Sequence, residues 1–508
     1  MSLHSIDPRT GKKGRPIDEA IPADVARAAT RAAGAVAAWR SAPDALRGRL
    51  LREMADRLDA RRSKIVEVAD FETALGAPRL DGELTRATSQ LRAFAADVEE
   101  GSYVEAILSP GDPEASPPRP DVRRCLVPLG PVGVFTPSNF PLAFGVAGGD
   151  TASAVAAGCP VVVKGHPSHP ATSELCFETL AQAVTAVGAP PGLVSLVQGG
   201  ASELSRTLVQ APEIRAVAFT GSQKVGRLLF DLAAARPNPI PFYGELGSVN
   251  PVFVGPAAAA ARGNAIATGL AGSMMLGHGQ FCTKPGLVFL PDGEAGDHVL
   301  AALVTAVDAH GVGVLLNSNL RASLARRLDA TRRVAGVDEL TARQPVPDDG
   351  CRAAPVLFAT SLDTFLRHPE LAEEHFGPAG IVVRGAASQL AEAAGRLRGQ
   401  LTATIHADEK DGQWAAALLG TLAHCAGRVI WNGFPTGVAV VPGMHHGGPY
   451  PASTVSLYTS VGATAIRRFL RPVAYQGLPD TLLPPALRDG NPLGIQRLIG
   501  GEWTRRPR

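Results

Sequence analysis

From Ile21 to about Gly101 the apolar positions recur at three- and four-residue spacing, as in Leu50-Leu51-Met54-Leu58 and Ile65-Val66-Val68, among Ala, Arg and Glu. That period predicts amphipathic helices packed on a neighbouring sheet, interrupted at Gly76 and Pro78. The Pro-rich connector SPGDPEASPPRP at 109–120 cannot be regular structure. Beyond it the pattern changes. DVRRCLVPLGPVGVFTP predicts a strand, a turn and a second strand ending at Thr136-Pro137. Short apolar runs at 132–135, 161–164, 193–197, 216–220 and 240–243 then alternate with helical stretches at 144–157, 172–187, 203–210 and 222–235. Such alternation predicts a parallel sheet covered on both faces, a doubly wound α/β domain. A second α/β unit begins at Asn250-Pro-Val-Phe-Val254, with strands expected at 286–290, 380–384, 401–406 and 427–432 and helices at 297–310 and 321–334. After Gly447 the chain reads as loop, with a short helix near 463–470. The Pro- and Leu-rich tail from Arg471 predicts an arm packed on a partner or another domain.

A length of 508 residues exceeds what one core supports and predicts two or three domains. The net charge is +2, so no basic excess holds a nucleic acid, and aromatics at 5% provide no stacking platform for bases. The start lacks the apolar core of a signal peptide, and no run reaches the roughly 20 apolar residues of a membrane span. A cytoplasmic protein without membrane or nucleic-acid partners is expected. The six cysteines are scattered with no CxxC, which reads as free thiols. GxGxxG, P-loop, HExxH and GxSxG signatures are absent.

One thiol stands apart. Cys282 lies in Gly277-His-Gly-Gln-Phe-Cys-Thr-Lys-Pro-Gly286, where two glycines free the backbone before the sulfur and Pro-Gly stops it afterwards. A thiol on such a turn can be reached by a substrate, whereas most free cysteines are buried and inert. It titrates near pKa ~8.5 and needs a base or positive surroundings to react. In doubly wound sheets ligands sit at the carboxyl ends of strands. Those ends are Thr136-Pro-Ser-Asn139, Lys164-Gly-His166, Gln198-Gly-Gly200, Gly221-Ser222 and Glu245. Glu245 offers a carboxylate beside glycines, Asn139 an amide on a turn held by two prolines, and Lys164 an ammonium closing an all-valine strand. His445-His446 lacks a third ligand at suitable spacing, so no metal is expected.

These residues resemble the aldehyde dehydrogenase superfamily over nearly the whole chain. The matching segments are PSNFP at 137–141, VVVKGHPSHPATSE at 161–174, FTGS at 219–222, ELG at 245–247, GQFCT at 279–283, EEHFGP at 373–378 and WNGFPTGV at 431–438. Seven motifs in order are highly specific. Within the superfamily the chain is most similar to NADP-linked α-ketoglutaric semialdehyde (2,5-dioxovalerate) dehydrogenases and related fatty aldehyde dehydrogenases. The resemblance implies an α/β fold with a dinucleotide-binding domain over 1–116 and 131–246 and a catalytic domain over 247–450. Oligomerisation strands at 117–130 and a C-terminal arm at 451–508 complete it.

The resemblance also implies a mechanism. Cys282 attacks an aldehyde to give a thiohemiacetal, Asn139 and the Cys282 N–H hold the oxyanion, and Glu245 activates the water that hydrolyses the resulting thioester. For the cofactor it implies Lys164 on the adenosine ribose, Ser222 on the pyrophosphate, Glu374 on the nicotinamide ribose and Phe376 against the nicotinamide. Thr136, Pro137, Ser138, His166, Pro167, Gly199, Gly221 and Leu246 line the same site. NAD-preferring members commonly carry Glu three residues after this Lys. Pro167 stands there instead, so a 2′-phosphate meets no carboxylate beside Lys164 and His166. NADP is the expected cofactor, with NAD accepted. The segment after GPYPAST reads Val455-Ser-Leu457, where the related branch has Ser-Arg. If that Arg anchors a substrate carboxylate, Leu457 removes it and favours a more apolar aldehyde. Acyl transfer to coenzyme A and a non-redox cysteine esterase are the alternative chemistries. A homodimer or homotetramer is expected, with the strand pair at 122–134 and the C-terminal arm contributing.

Overall fold

The computed structural model describes residues 3–508. The amphipathic stretch forms four helices, α1 (Pro22–Arg40), α2 (Asp44–Ala60), α3 (Arg62–Thr73) and α4 (Ala77–Glu100). Pro78 sits in the first turn of α4, where its missing N–H costs nothing. Trp39 of α1 is fully buried and gives its indole N–H to Val155 O at 3.1 Å.

Five parallel strands build the first sheet: β1 (Val132–Phe135), β2 (Val161–Lys164), β3 (Val194–Val197), β4 (Ala216–Thr220) and β5 (Phe242–Glu245). Their spatial order is β3-β2-β1-β4-β5. The order therefore turns around at β1, and the carboxyl edge of β1 and β4 is where such a sheet leaves a crevice. Helices α5 (Gly149–Ala156), α6 (Pro170–Ala186), α7 (Ser202–Gln210) and α8 (Gln223–Ala234) connect the strands.

The second sheet has seven strands: β6 (Val252–Val254), β7 (Leu287–Pro291), β8 (Val337–Glu339), β9 (Val356–Ser361), β10 (Ala379–Gly385), β11 (Gln400–His406) and β12 (Ala426–Trp431). They run in the order β8-β9-β10-β7-β6-β11-β12, with β8 antiparallel and the rest parallel. A third, five-stranded sheet joins residues Leu470–Gln476, Val122–Pro128, Ile107–Ser109, Arg497–Ile499 and Glu502–Thr504. No helix among the described residues is long and apolar enough to cross a membrane.

Four elements differ from the sequence reading. The strand pair expected at 122–134 is divided between sheets, because Gly130, at φ +123°, turns the chain where a Cβ would lie 2.8 Å from Arg215. The helix expected from 144 begins only at Gly149. Its first residues form turns whose N–H groups, at Leu142 and Ala143, are taken by Glu83 Oε1 at 2.8 and 3.0 Å. The Ala-rich α9 (Pro256–Met275), which leads into the Cys282 turn, was not anticipated. Residues 453–460, placed with the arm, lie against Glu245 instead: Glu245 bridges to Ser453 and Thr454 N donates to Gly244 O.

A buried carboxylate anchors α6. Glu72 of α3 accepts from Ala171 N at 2.9 Å, from Thr172 N at 2.8 Å and from Thr172 Oγ1 at 2.6 Å. A negative charge at a helix N-terminus satisfies donors the helix itself cannot. Glu72→Ala should lower the stability of the first lobe by about 2–4 kcal/mol, because it strands three buried donors. Urea unfolding followed by circular dichroism checks this.

Candidate active site

The Cys282 turn is built by close backbone approach. Gly277, His278 and Gly279 follow one another at φ +56°, +56° and +70°. A Cβ on Gly279 would meet Gly377 O at 2.0 Å, so only glycine lets the Glu374–Gly377 segment pack there. Asn250, itself at φ +47°, gives its amide to Cys282 O at 2.8 Å and Lys284 O at 2.9 Å. Lys284 is fully buried and donates to His375 O at 2.7 Å and Ala379 O at 2.5 Å. The half-buried thiol is thereby held at a fixed place on the edge of the second sheet.

From the first sheet, Glu245 at the end of β5 faces it. His446 Nε2 lies 3.6 Å from Cys282 Sγ and 3.0 Å from Glu245 Oε1, and Ser460 Oγ donates to Glu245 Oε2 at 3.0 Å. One donor atom each from Glu245, Cys282 and His446 fall within 4.8 Å of one another, a grouping that could also hold a metal ion. Of the adjacent histidines 445 and 446, only His446 joins the thiol and the carboxylate. Sequence spacing carried no signal for it, since 164 residues separate His446 from Cys282. Ser460, Asn250 and Lys284 were likewise not foreseen.

Asn139 is 6% exposed and its amide donates to Gln280 O at 3.0 Å, two residues before the thiol. Its turn is fixed from three sides. His169 Nε2 donates to Pro137 O at 2.9 Å, Arg79 Nη2 to Asn139 O at 2.7 Å, and Glu83 holds the next two N–H groups.

Burial raises the Cys282 thiol well above its ordinary pKa, and the charges of Glu245 and Glu374 add to this against Arg86. Burial also pushes the Glu245 carboxyl upward, but His446 and the hydrogen bonds from His446, Ser460 and Cys282 outweigh it and hold the group below its usual value. The resting pair is a neutral thiol beside a carboxylate. Glu374 is raised by burial, with Lys284 opposing and Glu245 adding.

The groups expected around a dinucleotide line the carboxyl edge of the first sheet. Thr136 N donates to Lys164 O at 3.3 Å. Lys164 Nζ does not stand free: it donates to Gly165 O at 3.0 Å and Gly199 O at 2.6 Å, and burial pulls it down to about 8 with Glu19 opposing. His166 Nδ1 accepts from Ser168 N at 3.1 Å, and its ring stacks on His169. Gly221 N donates to Glu245 O at 3.1 Å. Ser222 is exposed at the N-cap of α8, accepting from Val225 N at 3.4 Å, so the helix N-terminus faces outward as an anion site requires. Leu246 is buried, while Pro167 and Phe376 are half-buried. Gly247 leaves open the space in which a Cβ would lie 3.0 Å from Glu374 Oε2. These residues would fit a dinucleotide at this edge. Glu19, whose Oε2 accepts from Gly200 N at 3.1 Å beside Lys164, carries no local signal in the sequence.

A doubly wound sheet of order β3-β2-β1-β4-β5, facing a second α/β sheet across a buried thiol and carboxylate, defines a two-lobed oxidoreductase. The model of the aldehyde dehydrogenase family matches residues 1–449, and the chain belongs to that family. It is 45% identical over 508 residues to α-ketoglutaric semialdehyde dehydrogenase 2 of Azospirillum brasilense, covering 99% of this chain and 96% of that one. It is 43% identical to α-ketoglutaric semialdehyde dehydrogenase of Acinetobacter baylyi, covering 95% and 91%. Among solved structures, 3,6-anhydro-L-galactose dehydrogenase in complex with NAP superposes with a TM-score of 0.81 at 21% identity, over 94% of this chain and 96% of that one. A Thermus 1-pyrroline-5-carboxylate dehydrogenase with bound NAD gives 0.80 at 22% identity, over 94% and 90%. The chain is an aldehyde dehydrogenase that works with a nicotinamide cofactor.

Iodoacetamide should label Cys282 slowly at neutral pH and faster as pH rises, since burial and Glu245 hold the thiol neutral. Glu245→Gln removes the carboxylate charge and should move the labelling profile to lower pH. A profile that does not move would remove the carboxylate as a cause of the raised thiol.

Proposed function

We propose that the chain oxidises a short oxo-acid semialdehyde, with α-ketoglutaric semialdehyde the leading candidate, to the corresponding dicarboxylate. NADP is the preferred cofactor, and NAD is accepted. The observation that carries the chemistry is the contact of Cys282, His446 and Glu245 across the junction of the two sheets. The names of the two relatives quoted above support the substrate class.

In this reading Cys282 Sγ adds to the aldehyde carbon, and the thiol proton passes to the Glu245 carboxylate as the bond forms. The oxygen that becomes negative is held by the Asn139 amide and the Cys282 N–H, a contact worth ~3–4 kcal/mol of barrier. The bound nicotinamide supplies the hydride acceptor. Glu245 then takes a proton from water as the oxygen attacks the thioester on Cys282, and the thiolate leaves. His446 and Ser460 keep that carboxylate ionised and aimed. A water-activating carboxylate at this place favours hydrolysis over transfer to coenzyme A.

Lys164, His166 and Ser222 bind the adenosine half, and Glu374 and Phe376 the nicotinamide half. Pro167 leaves room for a 2′-phosphate, while the Glu19 carboxylate beside Lys164 provides an acceptor for ribose hydroxyls and supports NAD use as well. A homodimer or homotetramer is proposed, with the unpaired edge of β12 and its exposed Trp431 as one contact surface.

Cys282→Ser should abolish NADPH formation while leaving cofactor binding intact, measured by absorbance at 340 nm and by calorimetry. Glu245→Gln should give a stoichiometric burst of NADPH followed by slow turnover. Steady turnover at the parent rate in either variant would remove the assigned role. Pro167→Glu should lower the NADP-to-NAD ratio of kcat/KM about 10-fold or more, through repulsion of the 2′-phosphate. An unchanged ratio would move cofactor choice elsewhere.

A further inference from the structure

Arg86 is the arginine, among the described residues, with two buried side-chain nitrogens lacking any partner, Nε and Nη2. It lies on α4 in line with Arg79 and Glu83, at spacings of seven and three residues that put all three on the face turned to the catalytic loops. Its neighbours are partly committed. Arg79 Nη2 is taken by Asn139 O and Glu83 Oε1 by Leu142 N and Ala143 N, which leaves one further unpartnered atom on each, Arg79 Nη1 and Glu83 Oε2. Among the described residues no carboxylate comes within ion-pair distance of Arg86. Its guanidinium instead lies over aromatic faces, 5.2 Å from the ring centre of Phe144 and 6.0 Å from that of Phe140. The Phe144 ring is in turn 6.4 Å from that of His446, whose Nε2 touches Cys282. Burial disfavours the Arg86 charge, and the groups that counter it are Cys282, Glu83 and Glu245.

A guanidinium two rings away from the nucleophile, with donors unspent, calls for an anion. A buried cation left unpaired is costly, and Arg is retained in such places where it meets a carboxylate or phosphate. The two free nitrogens are also the right two. Nε and Nη2 form the side edge of the guanidinium, whose parallel N–H groups fit both oxygens of one carboxylate.

We propose that Arg86 holds the carboxylate at the far end of the aldehyde substrate, two-pronged through Nε and Nη2, and so selects ω-oxo acids over uncharged aldehydes at Cys282. This rests on the reading of the chain as an aldehyde dehydrogenase acting through that thiol. It also replaces the expectation attached to Leu457. That side chain is 83% exposed, so an apolar residue there is turned to solvent in the single chain. The charge comes from α4 instead.

The test compares glutaric semialdehyde with pentanal, of equal carbon number, in the parent enzyme, Arg86→Met and Arg86→Lys. The parent should favour the oxo acid. Arg86→Met should lower the kcat/KM ratio of oxo acid to pentanal by at least about 30-fold, mostly through KM, as loss of one partner of a buried charge pair does. Arg86→Lys, which keeps the charge without the fork, should fall between. A second readout needs no turnover: glutarate should protect Cys282 from iodoacetamide in the parent and not in Arg86→Met. A parent without preference for the oxo acid, a parallel fall on both aldehydes, or glutarate protection that survives in Arg86→Met would each overturn the assignment. If the parent oxidises pentanal normally in those cases, the aldehyde dehydrogenase reading stands and only the anchor fails. A parent inactive on both aldehydes would count against the enzymatic reading, and glutarate protection would then decide the anchor by itself.

Discussion

A carboxylate shut away from water must be given donors, or it takes up a proton and ceases to be a base. Glu245 is such a group, and its donors come from far along the chain, His446 and Ser460. This one set of hydrogen bonds ties the end of β5 in the first lobe to the segment that returns from the second, and the same imidazole nitrogen reaches the thiol. The position of the sulfur, the state of the carboxylate and the closure of the two sheets over them therefore depend on the same few contacts. The Asn139 turn is treated in a similar way, with Arg79 and His169 each taking one of its carbonyls and Glu83 two of its N–H groups. Neither loop relies on its own stiffness for aim.

Several interior charges are met by a counterpart within the fold. Arg468 and Asp150 pair at 2.7 Å in the interior, and Glu72 neutralises the start of α6. Against that background the unpaired guanidinium of Arg86 stands out as a place where the protein alone leaves the electrostatics incomplete. The difference is physical: structural charges are satisfied within the fold, and a binding charge waits for its ligand.

Much of this was legible in the sequence. The short apolar runs of the first lobe needed only their period to be recognised, and the strand-end rule picked out Asn139, Lys164 and Glu245 before any coordinates. Cys282 declared itself through the glycines around it, whose need is now visible in the approach of Gly377. What stayed hidden was of two kinds. His446, Ser460 and Arg86 are ordinary polar residues by local pattern, and only tertiary contact gives them meaning. The turns at 144–148 look helical because their apolar content is right, and the hydrogen bonds from Glu83 that hold the residues just before them come from a different part of the chain.

The Lys284 ammonium has a mechanical side. By gripping His375 O and Ala379 O it clips the strip carrying Glu374 and Phe376 to the strip carrying the sulfur, and Gly279 lies flush against Gly377 between them. The two strips form one stiff jaw. Any hinge that lets a spent nucleotide out must then belong to the opposite lobe or to the outer end of the groove, and a push on residue 374 is felt at residue 282 without a moving part in between.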